Sequence, residues 1–326
     1  MPVRNLGADV AQQTTDGEGI KMFSVIIPIY NEEQTLPELQ TRLIAAAGLT
    51  NESFEVIFVD DGSSDSSFAL LSAMHRTDSR FKVIRLSRNF GHQIAISAGL
   101  DFAHGDVVIL MDGDLQDPPE LIPQMLNLWR AGFQVVYTVK RSRQENPWKR
   151  LAFKSFYRVL HALSTIRIPM DAGNFSLMDK RVADVLRAMP ERNRYVSGLR
   201  AWAGFQQTAL YYDRESRFAG KPQMSLGRLI QLALDGIFSF SNVPLRLAVY
   251  LGLFTAALSF AGGIYVIYAK IFTDKAILGW ASTILSILFM GGMILVTLGV
   301  IGEYISRIYE EVKKRPLYVV QEKVGF

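Results

Sequence analysis

The residues with the means to do chemistry in this chain of 326 residues gather in three acidic turns. Glu32-Glu33 follows Val25-Ile-Ile-Pro-Ile-Tyr-Asn31, Asp60-Asp61 precedes Gly62-Ser63, and Asp112-Gly113-Asp114-Leu115-Gln116-Asp117 follows Val107 to Met111. Acids brought together in this way repel one another and any phosphate unless a cation sits among them. Two carboxylates at i and i+2 around a glycine, on a turn leaving a strand, can face one ligand. Mg2+ and Mn2+ favour such oxygen donors, shared with substrate phosphates. The chain has no cysteine and only four histidines, at 75, 92, 104 and 161, which excludes thiolate nucleophiles, disulfides and cysteine-ligated zinc or iron-sulfur sites. No glycine-rich Walker or dinucleotide loop is present either, so a diphosphate here has to be held by metal and arginines. Taken singly, Asp-Gly-Ser and Asp-Gly-Asp are ordinary turn sequences and Asn31-Glu32 an ordinary helix cap. Their recurrence after successive strands is the signal.

The elements that must position these turns are legible in the hydrophobic pattern. Short β-branched runs recur at 23–29, 54–59, 82–86, 107–111 and 135–139, separated by helix-length segments such as 36–47 and 67–74. This βαβ alternation predicts a mainly parallel sheet covered on both faces, in which ligands bind outside the carboxyl ends of the strands. Each acidic turn sits at such an end.

A second pattern begins near residue 245. The stretches Leu247 to Ala269 and Ala276 to Gly302 contain no charged residue, and each exceeds the roughly 20 residues a helix needs to span a bilayer. They predict a membrane hairpin over 245–306, with spans at about 246–269 and 276–302. Arg214, Arg217, Lys221, Arg228 and Arg246 precede it and Arg307, Lys313, Lys314 and Arg315 follow, so the positive-inside rule puts both termini and a tail over 307–326 in the cytoplasm. Residues 1–21 form a polar leader without a signal-peptide core. From Lys140 to Arg167 eight Lys/Arg oppose the single acid Glu145, and a basic amphipathic helix over about 147–164 is expected to lie in an anionic lipid surface. A second interfacial helix is expected over 225–241. The basic cluster adjoins membrane segments while the strand ends are acidic, which disfavours nucleic acid as a partner.

Taken together, Val25-Ile-Ile-Pro-Ile-Tyr-Asn-Glu-Glu33, Val59-Asp-Asp-Gly-Ser-Ser-Asp65, Arg88-Asn-Phe-Gly-His-Gln93 and Met111-Asp-Gly-Asp-Leu-Gln-Asp-Pro-Pro119 resemble family 2 glycosyltransferases of GT-A fold. More narrowly the chain resembles the polyisoprenyl-phosphate glycosyltransferases, which include bacterial undecaprenyl-phosphate glucosyltransferases and dolichol-phosphate mannose synthases. The likeness runs on through Asp171 to Met178, Glu191 to Tyr195, Gly198 to Trp202 and Arg217 to Gly220 and ends in the hairpin. It implies a GT-A catalytic domain over 22–224, a Rossmann-like α/β fold. It also implies a nucleotide-sugar pocket lined by Pro28, Tyr30, Glu32, Asp60, Asp61, Asp112 and Gly113, and a Mg2+ or Mn2+ ion held by Asp112, Asp114 and Gln116. Catalytic residues would be Asp114, Asp171 and Arg217, and acceptor-phosphate contacts Arg200, Arg217 and Lys221. Many relatives carry an acid where Asn174 stands.

The resemblance further implies an inverting enzyme of the plasma membrane. It would move a sugar, glucose from UDP-glucose by choice, onto undecaprenyl phosphate at the cytoplasmic face, in cell-envelope synthesis. Asp179 is a further conceivable base beside Asp171. Alternatives that stay open are a GDP-mannose or UDP-amino-sugar donor, a processive polysaccharide synthase, and a noncatalytic membrane adaptor that binds sugar nucleotide. Small-residue pairs in the hairpin permit a homo-oligomer.

Overall fold

The computed structural model describes residues 21–140, 172–192, 194–212, 243–272 and 279–326. These fall into two compact units, one holding the described residues up to Tyr212 together with Pro316–Phe326, the other those between Val243 and Arg315. The leader before Lys21 and both expected interfacial helices lie outside the described residues.

The first unit is built on a sheet of β1 (Met22–Ile29), β2 (Ser53–Asp60), β3 (Phe81–Leu86), β4 (Val107–Leu110), β5 (Val135–Lys140), β6 (Ala172–Asp179), β7 (Gln207–Tyr212) and β8 (Val320–Val324). Its order is β7-β5-β6-β4-β1-β2-β3-β8. The pairs β1–β2, β1–β4, β2–β3 and β5–β7 are parallel; β6 runs antiparallel to β4 and β5, and β8 antiparallel to β3. The five β-branched runs are all strands, so the expected mainly parallel sheet is what forms. Helices α1 (Leu36–Gly48), α2 (Ser67–Thr77), α3 (His92–Phe102), α4 (Ile122–Arg130), α5 (Lys180–Ala188) and α6 (Val196–Trp202) accompany it.

Both faces of the central strands are covered, which is why β1 and β2 read as nearly unbroken apolar runs rather than alternating ones. Phe23, Val25, Ile27 and Ile29 of β1, with Val56 and Phe58 of β2, pack with Leu36, Leu39 and Leu43 of α1 and Leu71 of α2. On the other face α3 approaches so closely that a Cβ on Gly99 would stand 2.2 Å from Ile26 Cγ2. Only glycine fits there.

The chain runs from β1 to β2 and β3 on one side, then crosses to β4 on the other side of β1. That reversal opens a crevice at the carboxyl ends of β1 and β4, the place where open α/β sheets bind ligands. The β1–β4 ladder ends at Ile26↔Leu110, with Met111 N donating to Ile26 O at 3.0 Å, whereas β1–β2 continues to Ile29↔Asp60. Pro28, two residues beyond Ile26 on the same ladder side, therefore needs no N–H. A proline inside a central strand is otherwise unfavourable; here it marks where the strands part.

The second unit holds α7 (Val243–Phe272) and α8 (Trp280–Val312), which pack against each other. Within them Leu245–Ala269 and Phe289–Val312 are long and apolar enough to cross a membrane. Val249, Leu253, Phe260 and Leu295 are 57%, 63%, 73% and 72% exposed, an apolar surface that water would not tolerate and lipid would. The hydroxyls of Thr255 and Thr297 donate to carbonyls one turn back, at Leu251 and Met293, so neither is left unsatisfied in an apolar setting.

Candidate active site

The rim of the crevice is stitched together loop by loop. Between the turns after β1 and β2, Asn31 N donates to Ser63 Oγ (3.0 Å), Ser64 N to Asn31 Oδ1 (2.8 Å), Glu32 N to Ser67 Oγ (3.0 Å) and Ser66 N to Glu33 Oε2 (3.0 Å). Asn31 holds φ +55° to do this, a left-handed conformation that asparagine tolerates better than most residues. The turn after β2 grips the turn after β3, because Phe90 N and Gly91 N donate to the two oxygens of Asp61 at 2.7 and 2.8 Å. The turn after β3 in turn meets the one after β4, where His92 Nε2 lies 3.3 Å from Asp112 Oδ1. Asn174 at the start of β6 closes the ring, its Nδ2 3.0 Å from His92 Nε2 and its Oδ1 3.5 Å from Ser197 Oγ of α6.

Charge is tightly packed on this rim. Burial pushes the Asp61 carboxyl up despite its two backbone donors, with Asp60 adding to the rise. Asp117 is raised to about 6 by burial and by Asp112, while Lys140 at 3.9 Å and the Tyr212 hydroxyl, which donates to it, act in the opposite direction. Burial works against a charged His92, but Asp112, Asp61 and Asp114 outweigh it and raise the imidazole. The turn itself is strained. Buried Leu115 sits at φ +58° so that Gln116 N can donate to Asp114 Oδ1 at 3.1 Å. Strain of this kind is held where a loop is over-determined by its surroundings, and such places are often functional.

Of the residues expected from the sequence, Pro28, Tyr30, Glu32, Asp60, Asp61, Asp112, Gly113, Asp114 and Gln116 all fall on β1, β2, β4 or the turns at their carboxyl ends. Tyr30 is exposed at the mouth, whereas Asp60 is fully buried, accepting from Ser63 N at 3.0 Å with Arg85 Nε 3.5 Å away. Asp60 and Asp61 thus brace the wall of the pocket. Asp171, Arg217 and Lys221 lie outside the described residues. Arg200 is buried in α6, one helical turn from Ser197. Asp179 is a correction: it pairs opposite Val107 at the far end of β4, its side chain caps α5 through Arg181 N, and it accepts from Trp129 Nε1. That is a structural post at the wrong edge of the sheet for a base. Sequence reasoning missed Lys140 and Tyr212 as members of this rim, and it quoted the motifs that hold His92 and Asn174 without giving either residue a place in the site. The run Arg88 to His92 after β3 was the one available signal for His92.

The donor set suits a hard divalent cation. Two carboxylates and an amide oxygen from one turn, with acids close enough to perturb Asp117, call for positive charge. Among the described residues no group of three or more His, Cys, Asp or Glu side chains is placed to hold a metal ion by itself. Asp112, Asp114 and Gln116 are the oxygen donors of this turn that would hold such an ion, with water and phosphate oxygens as the remaining ligands.

Residues 24–187 match the family described as Glycosyl transferase family 2, and residues 243–308 match the GtrB C-terminal hairpin. An uncharacterized glycosyltransferase of Bacillus subtilis, YkcC, is 45% identical over 304 residues, covering 93% of this chain and 94% of the relative. The SfII prophage-derived bactoprenol glucosyl transferase of Shigella flexneri is 38% identical over 301 residues, covering 92% and 97%. A prophage bactoprenol glucosyl transferase homolog of Escherichia coli is 36% identical over 300 residues, covering 92% and 98%.

Proposed function

Because the chain belongs to glycosyl transferase family 2 and ends in the GtrB C-terminal hairpin, we propose that it transfers glucose from UDP-glucose to undecaprenyl phosphate at the cytoplasmic face of the membrane. The observation that carries this reading is the crevice between β1 and β4, where Asp112, Asp114 and Gln116 stand at the switch point of the sheet in a chain that also holds two membrane-length helices. Names of relatives supply the sugar and the lipid: several are bactoprenol glucosyl transferases.

The reaction is a direct displacement at the anomeric carbon. An oxygen of the lipid phosphate forms the new C–O bond as the bond to the donor's β-phosphate breaks, and the nucleoside diphosphate leaves with the electron pair, inverting the centre. A phosphate monoester has a second pKa of about 6, so the acceptor is already largely ionised near pH 7 and no strong base is needed. That removes any requirement for an acid at position 174. Tyr30 and Glu32, on a wall braced by Asp60 and Asp61, receive the nucleoside, with Pro28 and Gly113 keeping the crevice open. A Cβ at Gly113 would stand 2.6 Å from Ile29 Cδ1, so that side-chain end would have to shift to admit one. Asp112, Asp114 and Gln116 would hold a divalent cation, which when bound neutralises charge on the departing diphosphate. Asp171, Arg217 and Lys221 are proposed on the acceptor side. Homo-oligomerisation through the hairpin is compatible with this scheme.

The test is transfer of radiolabel from a panel of UDP- and GDP-sugars to undecaprenyl phosphate in detergent, with Mn2+ or Mg2+ and with chelator. A chelator-sensitive glucolipid from UDP-glucose alone is expected. A labelled lipid from a different donor would replace the sugar assignment. No lipid product from any donor, in a folded preparation that binds nucleotide, would sink the reading in favour of a polymerase or an adaptor.

A further inference from the structure

Arg200 heads the fully buried side chains of the protein, at 1% exposure. Among the described residues nothing accepts a hydrogen bond from its Nε or Nη1. Its guanidinium lies 5.9 Å from the centre of the Tyr137 ring. The fold does not treat every buried arginine in this way. Arg194, 8% exposed, donates from Nη1 to Met189 O at 3.1 Å and from Nη2 to Leu186 O, closing the end of α5. Burial pushes the Arg200 guanidinium down to about 10, with Tyr195 and Tyr137 acting against the fall, so it stays a cation at neutral pH. A buried charge without a counterion destabilises a fold, and an apolar side chain of similar volume is often the more stable choice there. Something other than folding therefore keeps an arginine at this place.

Its position says what that is. Tyr137 on β5 pairs with Ser176 on β6, and Asn174 is the next residue on the same face of β6. Ser197, one turn before Arg200 on α6, reaches Asn174, and Asn174 reaches His92 beside Asp112. From Ser197, one helical turn before Arg200, polar side chains thus lead through Asn174 and His92 to Asp112. The Tyr137 and Tyr195 phenols lie beside the cation and, among the described residues, no carboxylate pairs with it, which leaves that place to an anionic ligand.

We propose that Arg200 anchors a phosphate-monoester socket between β5, β6 and α6, and that the phosphate it holds is that of the lipid acceptor. This rests on the reading of a lipid phosphate as acceptor and deepens it. A single buried cation beside neutral phenols discriminates a prenyl phosphate from the corresponding prenyl alcohol, which leaves the charge unpaired. The donor diphosphate has the same chemistry, and the test separates the two sources.

The full chain in detergent is melted alone and with farnesyl phosphate, farnesol or UDP, as wild type and as Arg200→Met and Arg200→Lys. Farnesyl phosphate is expected to raise the wild-type melting temperature, and farnesol at the same concentration to do so much less. In Arg200→Met the ligand-free protein melts at or above the wild-type temperature, farnesyl phosphate affinity falls about 10- to 100-fold, and the UDP response is kept. A parallel loss only of the UDP response overturns the acceptor assignment and moves the socket to the donor diphosphate. A lower melting temperature with both ligand responses intact overturns the proposal, since Arg200 is then structural. So does a wild type that ignores farnesyl phosphate. If the methionine variant does not fold, Arg200→Lys decides: several-fold weaker farnesyl phosphate binding with UDP unchanged is expected, and unchanged binding of both overturns. Binding is read without turnover. A wild type that transfers no sugar, yet loses farnesyl phosphate binding in Arg200→Met, sinks the activity reading and leaves the socket standing.

Discussion

Replacing Asp114 by alanine removes one of the two carboxylates that face the crevice from a single turn, along with the acceptor for Gln116 N. Metal-dependent turnover should fall by about 100-fold or more; initial rates against metal concentration check this. Gly62 matters for what it lacks. At φ +71°, a Cβ would stand 2.6 Å from the carbonyl carbon of Arg88 and 2.8 Å from Asn89 N, both backbone atoms that cannot swing aside. Gly62→Ala should cost about 1 to 3 kcal/mol and raise the KM for donor, since the displaced loop is the one Asp61 holds. Glu55 supplies a pH test away from the site. Burial raises its carboxyl, but Lys82 (2.8 Å), Ser24 (2.6 Å) and His104 N (3.0 Å) outweigh this and hold it below the ordinary value of 4.5. A depressed folded pKa gives stability that is complete above 4.5 and is lost as pH falls through the folded value. The gap in melting temperature between wild type and Glu55→Gln should thus be widest near neutrality and close on acidification below about pH 4. At this scale the acids were legible because Asp-x-Asp-x-Gln after a β-branched run is a pattern of neighbours. His92 was not, because its partners Asp112 and Asn174 come from β4 and β6 and meet it only once the sheet is assembled.

Strands β1 to β5 are visible in sequence as apolar runs because each is central or covered by helices. β6, β7 and β8 are not, and the reason differs for each. Ala172–Asp179 mixes glycine, asparagine and serine with Phe175 and Leu177, since those two join the main core while Asn174 and Ser176 share the opposite face with Met178. Gln207–Tyr212 is an edge strand, half-buried along most of its length. Val320–Val324 is largely exposed and polar; it is a strand because β3 offers an open edge, and it lies within the segment expected only as a tail. Its attachment is nonetheless firm. Ser87 N donates to Val319 O at 2.9 Å, Tyr318 donates to Asp101 at 2.7 Å, and Phe326 meets Phe102 edge-on at 5.3 Å. Both of those side-chain contacts grip the last turn of α3, whose first turn carries His92. Deleting residues 316–326 removes an antiparallel ladder, one charged hydrogen bond and an aromatic pair, together about 2 to 4 kcal/mol. The truncated protein should melt about 5 to 10 °C lower and, with the β3 edge bare, aggregate more readily; differential scanning fluorimetry and size-exclusion chromatography read the two effects.

For the whole molecule the order of elements along the chain constrains topology independently of loop charge. The chain leaves the sheet after β7, passes through α7 and α8, and re-enters the same sheet as β8. A folded sheet cannot be threaded through a bilayer, so if both helices cross, they cross as a pair and return the chain to the side it left. The surplus of Arg and Lys on both flanks of the hairpin argues for the same side, the cytoplasm. Because the chain has no cysteine, each introduced one is a unique probe. Glu38→Cys on α1, Asp274→Cys in the connection between the two membrane-length helices, and Lys314→Cys just after α8 form a minimal set. In intact cells or spheroplasts a membrane-impermeant maleimide should label Asp274→Cys, and label Glu38→Cys and Lys314→Cys only after permeabilisation. Labelling of Lys314→Cys from outside while Glu38→Cys stays protected would mean a single crossing, which β8 pairing in the same sheet forbids. It would force β8 to be supplied some other way. Labelling of all three from outside would reverse the orientation and take the donor crevice away from the cytoplasmic pool of nucleotide sugars. If the crevice takes a soluble nucleotide sugar and the acceptor lies in a membrane, as proposed, a two-helix excursion that returns to its own sheet serves both in one chain.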